Sequence, residues 1–343
     1  MRARLSIVAV LVGSIILLAS SSLASPRPKS EPERRTSQVS APAASPTDAS
    51  YLPIAMKAVP PTPVGGYQIP HFSHVFIIVM ENEAYEQILG NTVDAPYINS
   101  LAEQYSVAAN YYGIVHPSLP NYIALTAGDT FTITNDCTKC FIDHPNIVDQ
   151  LEAAGKSWKA YMESMPSPCF VGDSGKLYQQ KHNPFIYFDN IRGNPARCNK
   201  IVPLSQLEAD LQANALPQYV WITPNMCNDI HDCKLSVGDA WLQEWVTKIL
   251  ASPAWQQNGV LFLTFDESNH SDNSGCCQYA TGGHILTMVI SPLSRPGYQS
   301  PIEYDHYSLL RTIEQAWGMP LLGKANCECS QPMTDFFPAN MAK

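Results

Sequence analysis

The sequence contains little charge and no run of basic residues. Only 15% of its 343 residues are charged, and 21 lysines and arginines stand against 30 aspartates and glutamates, so the formal net charge is −9. Proteins that bind nucleic acid through its phosphates carry clusters of lysine and arginine. Because the body of the chain has no such cluster, nucleic-acid binding is not expected. An acidic body also disfavours an anionic ligand, unless a metal ion supplies positive charge locally.

Long apolar runs are absent after the first 24 residues, so no integral membrane contact is expected. At the start of the chain, Arg2 and Arg4 precede the apolar run Leu5–Ala19, and Ser22–Ala24 fits a cleavage site of small residues. This pattern predicts a secretory signal peptide over residues 1–24. An uncleaved anchor is the alternative, but the run is shorter than the about 20 residues that span a bilayer. The mature protein is therefore predicted to be secreted or extracytoplasmic.

Large apolar side chains are nearly absent from the segment that follows. Residues 25–66 are predicted to form a flexible linker rich in proline and serine, most clearly over residues 25–50. Such a segment buries too little apolar surface to offset the conformational entropy lost on ordering. Residues 67–343 are predicted to form a single domain, since no second linker interrupts them.

Cysteine is abundant and even in number. The ten cysteines are Cys137, Cys140, Cys169, Cys198, Cys227, Cys233, Cys276, Cys277, Cys327 and Cys329. In an exported protein this predicts disulfide bonds, although the sequence does not reveal which cysteines pair. The spacing of Cys137 and Cys140 also occurs in zinc sites, but the matching second half of such a site is missing.

Apolar runs alternate with amphipathic stretches along the chain, which predicts an α/β domain with a mainly parallel central sheet flanked by helices. The predicted strands are Val75–Met80, Tyr219–Thr223, Val260–Phe265 and Ile285–Ile290. The predicted helices are Pro96–Tyr105, Ile147–Ala154, Leu204–Leu211, Asp239–Leu250 and Tyr307–Trp317. Residues 129–200, rich in cysteine, proline, asparagine and glycine, are predicted to form a disulfide-rich irregular insertion that could cover a site.

Oxygen-bearing side chains follow two of the predicted strands directly. Glu81 and Asn82 come after the first strand, and Asp266 and Glu267 come after the strand that ends at residue 265. Ligands bind at the carboxyl ends of strands in an open parallel sheet. Two such pairs at one edge would suit a hard cation. The alternative is that these residues cap the helices that follow.

A serine lies at the predicted start of a helix, in the segment His116–Tyr122 (HPSLPNY). The backbone N–H groups and the dipole of a helix N-terminus stabilise a bound phosphate or a serine alkoxide. Ser118 is therefore a candidate nucleophile, and an ordinary N-cap is the alternative. No serine lies in a G-x-S-x-G motif, which argues against an α/β-hydrolase.

Five segments together resemble the bacterial and fungal phosphoesterase family, which holds acid phosphatases and non-haemolytic phospholipases C. They are Val75–Asn82 (VFIIVMEN), His116–Tyr122, Thr223–His231 (TPNMCNDIH), Phe265–Glu267 (FDE) and Tyr304–Trp317 (YDHYSLLRTIEQAW). The resemblance covers residues 75–322, with the segments in the same order along the chain. It implies a fold like that of alkaline phosphatase, with phosphoester hydrolysis that depends on a divalent metal ion.

The resemblance also implies roles for individual residues. The predicted metal ligands are Glu81, Asn82, Ser118, Asp266 and Glu267, around one divalent ion (Ca, Mg, Mn or Zn). Ser118 matches the nucleophile, and the predicted catalytic histidines are His231, His306 and, on a weaker match, His284. His116, beside the nucleophile, is open to a structural role. His74, His144, His182 and His270 are interpreted as solvated or hydrogen-bonded residues.

The function predicted from these residues is that of an acid-phosphatase-type phosphomonoesterase. It would act on a small phosphate ester through a phosphoserine intermediate. A phospholipase C-type phosphodiesterase is the alternative. Such an enzyme is expected to carry an exposed apolar lip or a further C-terminal domain, and only a short stretch follows Trp317 here. A catalytically inactive binding protein on the same fold is a third interpretation.

Overall fold

The computed structural model describes residues 67–338. The predicted signal peptide and linker, residues 1–24 and 25–66, lie outside the described residues, as do the last five residues of the predicted domain. None of the helices within residues 67–338 combines the length and the apolar character needed to cross a bilayer.

One sheet of eight strands runs through the described part of the chain. The strands are β1 (Val75–Met80), β2 (Ser106–Tyr112), β3 (Trp158–Met162), β4 (Ile201–Pro203), β5 (Tyr219–Thr223), β6 (Val260–Phe265), β7 (Thr287–Ile290) and β8 (Gln299–Asp305). Their order across the sheet is β4-β3-β5-β1-β6-β7-β2-β8. Strand β7 runs antiparallel to both of its neighbours, and the other strand pairs are parallel. The prediction of a mainly parallel sheet is confirmed.

Ten α-helices flank this sheet within residues 67–338. They are α1 (Tyr85–Ile88), α2 (Pro96–Gln104), α3 (Ser118–Ala127), α4 (Ile147–Ala153), α5 (Asp189–Arg192), α6 (Pro195–Cys198), α7 (Ser205–Gln212), α8 (Leu235–Ala251), α9 (Pro253–Gln256) and α10 (His306–Ala316). Short 3-10 helices add Gln180–His182, Pro184–Tyr187, Gly323–Asn326 and Thr334–Phe336. All five helices predicted from periodicity are present.

The central strands form the core because they are apolar on both faces. Every residue of β1, β5, β6 and β7 is buried. This is the pattern expected when helices cover both sides of a parallel sheet. Edge strand β8 differs, since four of its seven residues are exposed.

The segment 129–200 is more regular than predicted. It contains helices and strand β3, which pairs in parallel with both β4 and β5 and so belongs to the main sheet. The sequence of β3, WKAYM, mixes polar and apolar residues and is too short to reveal a strand by periodicity. The segment also supplies the 3-10 helix Gln180–His182, which reaches the candidate active site.

All ten cysteines are paired, as predicted, and none is free in the described residues. The pairs are Cys137–Cys140, Cys169–Cys198, Cys227–Cys233, Cys276–Cys277 and Cys327–Cys329. The zinc alternative for Cys137 and Cys140 is therefore not supported. Four of the five pairs join residues that are close in the sequence, so they fasten individual loops.

Candidate active site

The carboxyl ends of β1 and β6 bring the two predicted pairs of ligands together. The two strands pair in parallel along their whole lengths, so Glu81–Asn82 and Asp266–Glu267 leave the sheet side by side. The backbone N–H of Asn82 donates to Oδ1 of Asp266 at 3.3 Å. Glu81, Asp266 and Glu267 are buried, with at most 1% of their surface exposed. Carboxylates are rarely buried to this extent without a specific partner.

Neither pair of residues caps a helix. Helix α1 begins only after Ala84, whose side chain makes no capping hydrogen bond. No helix lies between Glu267 and the next strand, β7, in the described chain. The capping alternative raised by the sequence is therefore not supported, and these buried carboxylates need another explanation.

Ser118 joins the two pairs. It is the first residue of α3, and its hydroxyl donates to Oε2 of Glu81 at 3.1 Å and lies 3.5 Å from Oε1 of Glu267. The N-cap position belongs to Pro117, which has no capping side-chain contact. Ser118 is thus not an N-cap. Its hydroxyl lies at a helix N-terminus among carboxylate oxygens, as the sequence predicted.

The turn before α3 is held by the amide of Asn121. Its Oδ1 accepts from the backbone N–H groups of Ile114 and Val115, at 2.7 and 3.1 Å, and its Nδ2 donates to the carbonyl of Val115 at 2.6 Å. The backbone N–H of Leu119, directly after the serine, donates to Oδ1 of Asp136 at 3.0 Å. These contacts fix the backbone on both sides of Ser118.

Three residues whose roles were not predicted surround Glu81. The hydroxyl of Tyr122 donates to Oε1 of Glu81 at 2.5 Å. Nε2 of His182 lies 3.1 Å from the same oxygen, and Nδ1 of His182 lies 3.2 Å from Oδ2 of Asp229. The interpretation of His182 as a solvated or hydrogen-bonded residue did not anticipate that it is buried beside Glu81. Tyr122, one helical turn after Ser118, could have been found by its i,i+4 spacing. No sequence signal identified His182.

His116 contacts the second pair. Its Nδ1 lies 2.8 Å from Oε2 of Glu267, and its Nε2 lies 2.8 Å from the carbonyl oxygen of Asp272. The Glu267 side chain raises the pKa of His116 by this hydrogen bond, partly offset by burial. The sequence left a structural role open for His116, and both ring nitrogens are indeed occupied. His116 holds Glu267 in place beside Ser118.

The buried carboxylates of the cluster form a site whose negative charge favours a cation. Burial raises the pKa of Glu81, Asp229 and Asp266 well above the usual range, and nearby carboxylates raise it further. Oδ1 of Asn82 and Oδ2 of Asp266 are buried and have no hydrogen-bond partner among the described residues. Buried polar atoms are normally satisfied. Unpartnered oxygens beside several carboxylates are the donor set that a hard divalent cation fits.

The predicted metal ligands do not all lie in one group of closely spaced ligating atoms. Within residues 67–338, three ligating atoms of acidic or histidine side chains lie within 4.8 Å of one another in two places. One group is Glu81, His182 and Asp229, and the other is His116, Glu267 and His270. Of the predicted ligands, Glu81 belongs to the first group and Glu267 to the second, and the hydroxyl of Ser118 contacts both. Asp266 belongs to neither group.

His231 lies at the edge of the cluster. Its backbone N–H donates to Oδ1 of Asp229 at 2.9 Å, and its ring centre is 6.0 Å from that of His182. Nδ1 of His231 lies 2.8 Å from Oδ1 of Asp232, and Nε2 lies 3.3 Å from Nζ of Lys181. The side chain is 25% exposed. Both ring nitrogens of His231 thus have partners in this structure, and its contact to a substrate stays a prediction.

His306 is placed differently from the prediction. It is fully buried, with Nε2 2.5 Å from the carbonyl oxygen of Asp266 and Nδ1 3.2 Å from the hydroxyl of Tyr111. Burial lowers the pKa of His306 to about 4. A neutral ring with both nitrogens occupied has no atom available for a phosphoryl group. His306 instead supports the backbone of Asp266 from behind.

His284 also lacks a free ring nitrogen. Nδ1 lies 2.8 Å from Oε1 of Glu86, and Nε2 lies 2.8 Å from the carbonyl oxygen of Ala109. Its ring stacks on Tyr85, with centres 4.4 Å apart. The predicted catalytic contact of His284 is therefore not supported, because its ring nitrogens contact helix α1 and strand β2.

Comparison with known proteins agrees with this geometry. A profile of the Phosphoesterase family matches residues 91–320. A phosphatidylinositol-3-phosphatase of Mycobacterium tuberculosis is 34% identical over 84% of this chain and 91% of its own length. A probable acid phosphatase of Kluyveromyces lactis and an acid phosphatase of Aspergillus fumigatus are 33% and 31% identical over 74% and 78% of this chain. The matched regions span 60% of the length of both fungal proteins.

Solved structures show the same fold. A Vibrio parahaemolyticus protein of the alkaline phosphatase superfamily superposes with a TM-score of 0.54, covering 78% of this chain and 71% of its own, at 11% identity. A phosphonate monoester hydrolase of Agrobacterium radiobacter superposes with a TM-score of 0.51, covering 78% and 77%, at 9% identity. The fold is thus that of the alkaline phosphatase superfamily, and the chain belongs to the phosphoesterase family.

Proposed function

We propose that this protein is a secreted, metal-dependent phosphomonoesterase that uses Ser118 as its nucleophile. The observation that carries the proposal is the position of the Ser118 hydroxyl. It lies at the N-terminus of α3, 3.1 Å from a carboxylate oxygen of Glu81, beside buried oxygens that have no partner within residues 67–338. A serine in such a position can lose its proton and attack an electrophile.

The residues that would hold one divalent ion are Glu81, Asn82, Asp266 and Glu267, with Ser118 in contact. When bound, the ion would offset the carboxylate charge and stabilise the negative charge of the phosphoryl group and of the serine alkoxide. The oxygen-rich donor set favours Ca, Mg or Mn, and the neighbouring His182 and His116 keep Zn open.

The remaining steps follow from the protein side chains. The proton of Ser118 is directed at Oε2 of Glu81. The oxygen forms a bond to phosphorus while the bond to the ester oxygen breaks, and the leaving oxygen takes up a proton. Water at the open edge of the cluster, beside His231, is the proposed source of that proton. Water then hydrolyses the phosphoserine and releases phosphate.

The preference for monoesters is supported by the relatives. The Mycobacterium tuberculosis protein that matches over most of its length carries the name of a phosphatase, as do the fungal proteins. A haemolytic phospholipase C of Pseudomonas aeruginosa is more distant, at 26% identity over 66% of this chain. The proposed substrate class is therefore a phosphate monoester. Export is proposed from the predicted signal peptide and agrees with five disulfides, which form in oxidising compartments.

Hydrolysis of two chromogenic esters tests this function. The purified protein, treated with a chelator and then resupplied with single divalent metals, should hydrolyse p-nitrophenyl phosphate and should do so faster than p-nitrophenylphosphorylcholine. Activity should disappear with the chelator and return with metal. Faster hydrolysis of the choline diester would favour the phospholipase C alternative. Failure to hydrolyse either ester with any metal would favour the binding-protein interpretation.

A further inference from the structure

Lys181 is a cation at the border of the carboxylate cluster to which neither the sequence nor the proposed mechanism assigns a role. It belongs to the 3-10 helix Gln180–His182 and directly precedes His182, which contacts Glu81. Its side chain is only 15% exposed. Its ammonium interacts electrostatically with Glu81, Asp229 and Asp266. A positive charge is thus held next to the site and largely away from solvent.

Asp136 ties this lysine to the helix that carries the nucleophile. Oδ2 of Asp136 accepts a hydrogen bond from Nζ of Lys181 at 3.1 Å, and Oδ1 accepts from the backbone N–H of Leu119 at 3.0 Å. One carboxylate therefore contacts both the ammonium group and the residue that follows Ser118. This arrangement limits the freedom of a side chain that is otherwise long and flexible.

His231 completes the surroundings of the ammonium group. Nζ of Lys181 donates to Nε2 of His231 at 3.3 Å, while Nδ1 of His231 lies 2.8 Å from Oδ1 of Asp232. Lys181 is therefore beside the histidine at the open edge of the cluster. A surface lysine in a simple ion pair would not be positioned by both an imidazole and a carboxylate.

We propose that Lys181 determines specificity for phosphate monoesters, and that Asp136 is the residue that positions it. This proposal rests on the proposed function. A monoester carries up to two negative charges on its phosphoryl oxygens near neutral pH, whereas a diester carries one. A fixed ammonium group close to those oxygens stabilises the dianion more than the monoanion, because the attraction grows with the product of the charges. Lys181 thus favours the monoester over the diester at the same site.

Four variants separate this role from a structural one. Lys181→Met removes the charge, Lys181→Arg retains it, and Asp136→Asn keeps an acceptor for Leu119 while weakening the hold on Lys181. Lys324→Met is the matched control, because Lys324 forms a similar ion pair with Asp129 at 3.4 Å. The measurements are kcat/KM for p-nitrophenyl phosphate and for bis(p-nitrophenyl) phosphate, the inhibition constant of inorganic phosphate, and thermal unfolding.

The Lys181→Met substitution should lower kcat/KM for the monoester more than kcat/KM for the diester. The two factors should differ at least about tenfold, and a tenfold difference corresponds to about 1.4 kcal/mol. The inhibition constant of phosphate should rise by a similar factor. Lys181→Arg should retain most of the preference, Asp136→Asn should lose part of it, and Lys324→Met should match the wild type. An equal loss for both esters, or an unchanged inhibition constant, would overturn the proposal.

The same variants distinguish failure of this inference from failure of the proposed function. If the wild-type protein hydrolyses neither ester, the proposed function fails. The inference is then tested by calorimetric binding of inorganic phosphate to the metal-loaded protein, which Lys181→Met should weaken about tenfold. Equal phosphate binding by both proteins would reject it. If Lys181→Met does not fold, the comparison of Lys181→Arg and Asp136→Asn with the wild type decides in the same way.

Discussion

Two buried aspartates, Asp335 and Asp266, differ in whether their carboxylate oxygens have hydrogen-bond partners. Asp335 is buried but satisfied, since the hydroxyls of Tyr298, Ser300 and Tyr304 all donate to it. Asp266 is fully buried, yet its Oδ2 has no partner among the described residues. An unpartnered buried carboxylate oxygen is costly and needs a compensating charge. This difference is the residue-level reason to place a cation at Asp266 and not at Asp335.

Asp266→Asn tests that reasoning. Asparagine keeps an oxygen at the site and removes the negative charge, so the variant should need at least about tenfold more metal for half-maximal activity, consistent with the cost of disturbing a metal site. Excess metal should restore part of the activity. The measurement is hydrolysis of p-nitrophenyl phosphate as a function of metal concentration. Asp335→Asn is the matched buried control and should show the metal dependence of the wild type. An Asp266→Asn curve that overlays the wild-type curve would contradict a ligand role.

Among the residues of the candidate site, those that directly follow a strand were the easiest to identify from the sequence. Glu81, Asn82, Asp266 and Glu267 were identified because each pair ends an apolar run, and the structure brings them together with Ser118. Their role as metal ligands stays a prediction. His182 was missed because its neighbours form a short 3-10 helix inside a loop-rich segment, where no periodicity reveals position. His306 was identified from a motif, but its burial depends on packing that a linear sequence does not show.

The strands that could be predicted from the sequence with their exact bounds are strands whose side chains are all buried. Strands β1, β5 and β6 were predicted with the bounds that the structure has, because both of their faces are buried and the runs are wholly apolar. Strands β2, β3, β4 and β8 were not predicted. They are short or mix polar and apolar residues, and β8 is a partly exposed edge strand that contains Pro301. The order of strands in the sheet depends on contacts between distant segments and was not accessible.

Helix α10 carries a buried acid that makes the stability of the protein depend on pH. Burial raises the pKa of Glu314 to about 8. Its Oε1 accepts from the backbone N–H of Leu322 at 2.9 Å, and its Oε2 has no partner among the described residues. Because the folded state holds the proton more tightly than the unfolded chain, the contribution of Glu314 is favourable at low pH. It is lost as the pH rises from about 4.5 to about 8.

Glu314→Gln should remove this dependence, because glutamine keeps the acceptor for Leu322 and does not ionise. The variant should gain stability relative to the wild type between pH 5 and pH 8.5, by roughly 2 kcal/mol or more, since a tenfold change in proton affinity is about 1.4 kcal/mol. Urea unfolding at the two pH values measures the difference. Glu103→Gln, an exposed residue of α2, is the control. Parallel stability curves for wild type and Glu314→Gln would show that the carboxyl group is not held neutral in the fold.

At the scale of the whole molecule, the acidic composition and the active site have a common explanation. The net charge of −9 includes a buried group of carboxylates at the carboxyl ends of neighbouring strands. Such a molecule would repel a phosphate ester unless a metal ion and a fixed ammonium group supply positive charge locally. The Cys227–Cys233 disulfide fastens the loop that carries Asp229 and His231. The sequence predicted that the cysteines pair, but the partners depend on the fold and could not be deduced from spacing.

The attack of Ser118 on phosphorus is tested most directly by the ratio of kcat/KM between the Ser118→Ala variant and the wild type. The metal-loaded Ser118→Ala variant should fold normally, yet its kcat/KM for p-nitrophenyl phosphate should fall by several orders of magnitude, because only binding and electrostatic stabilisation remain. Ser291→Ala, which removes another buried hydroxyl far along the chain, is the control and should keep the activity of the wild type. Excess metal should not rescue Ser118→Ala. If the variant retains more than about a tenth of the wild-type kcat/KM, less than about 1.4 kcal/mol of transition-state stabilisation has been lost, and Ser118 is not the nucleophile.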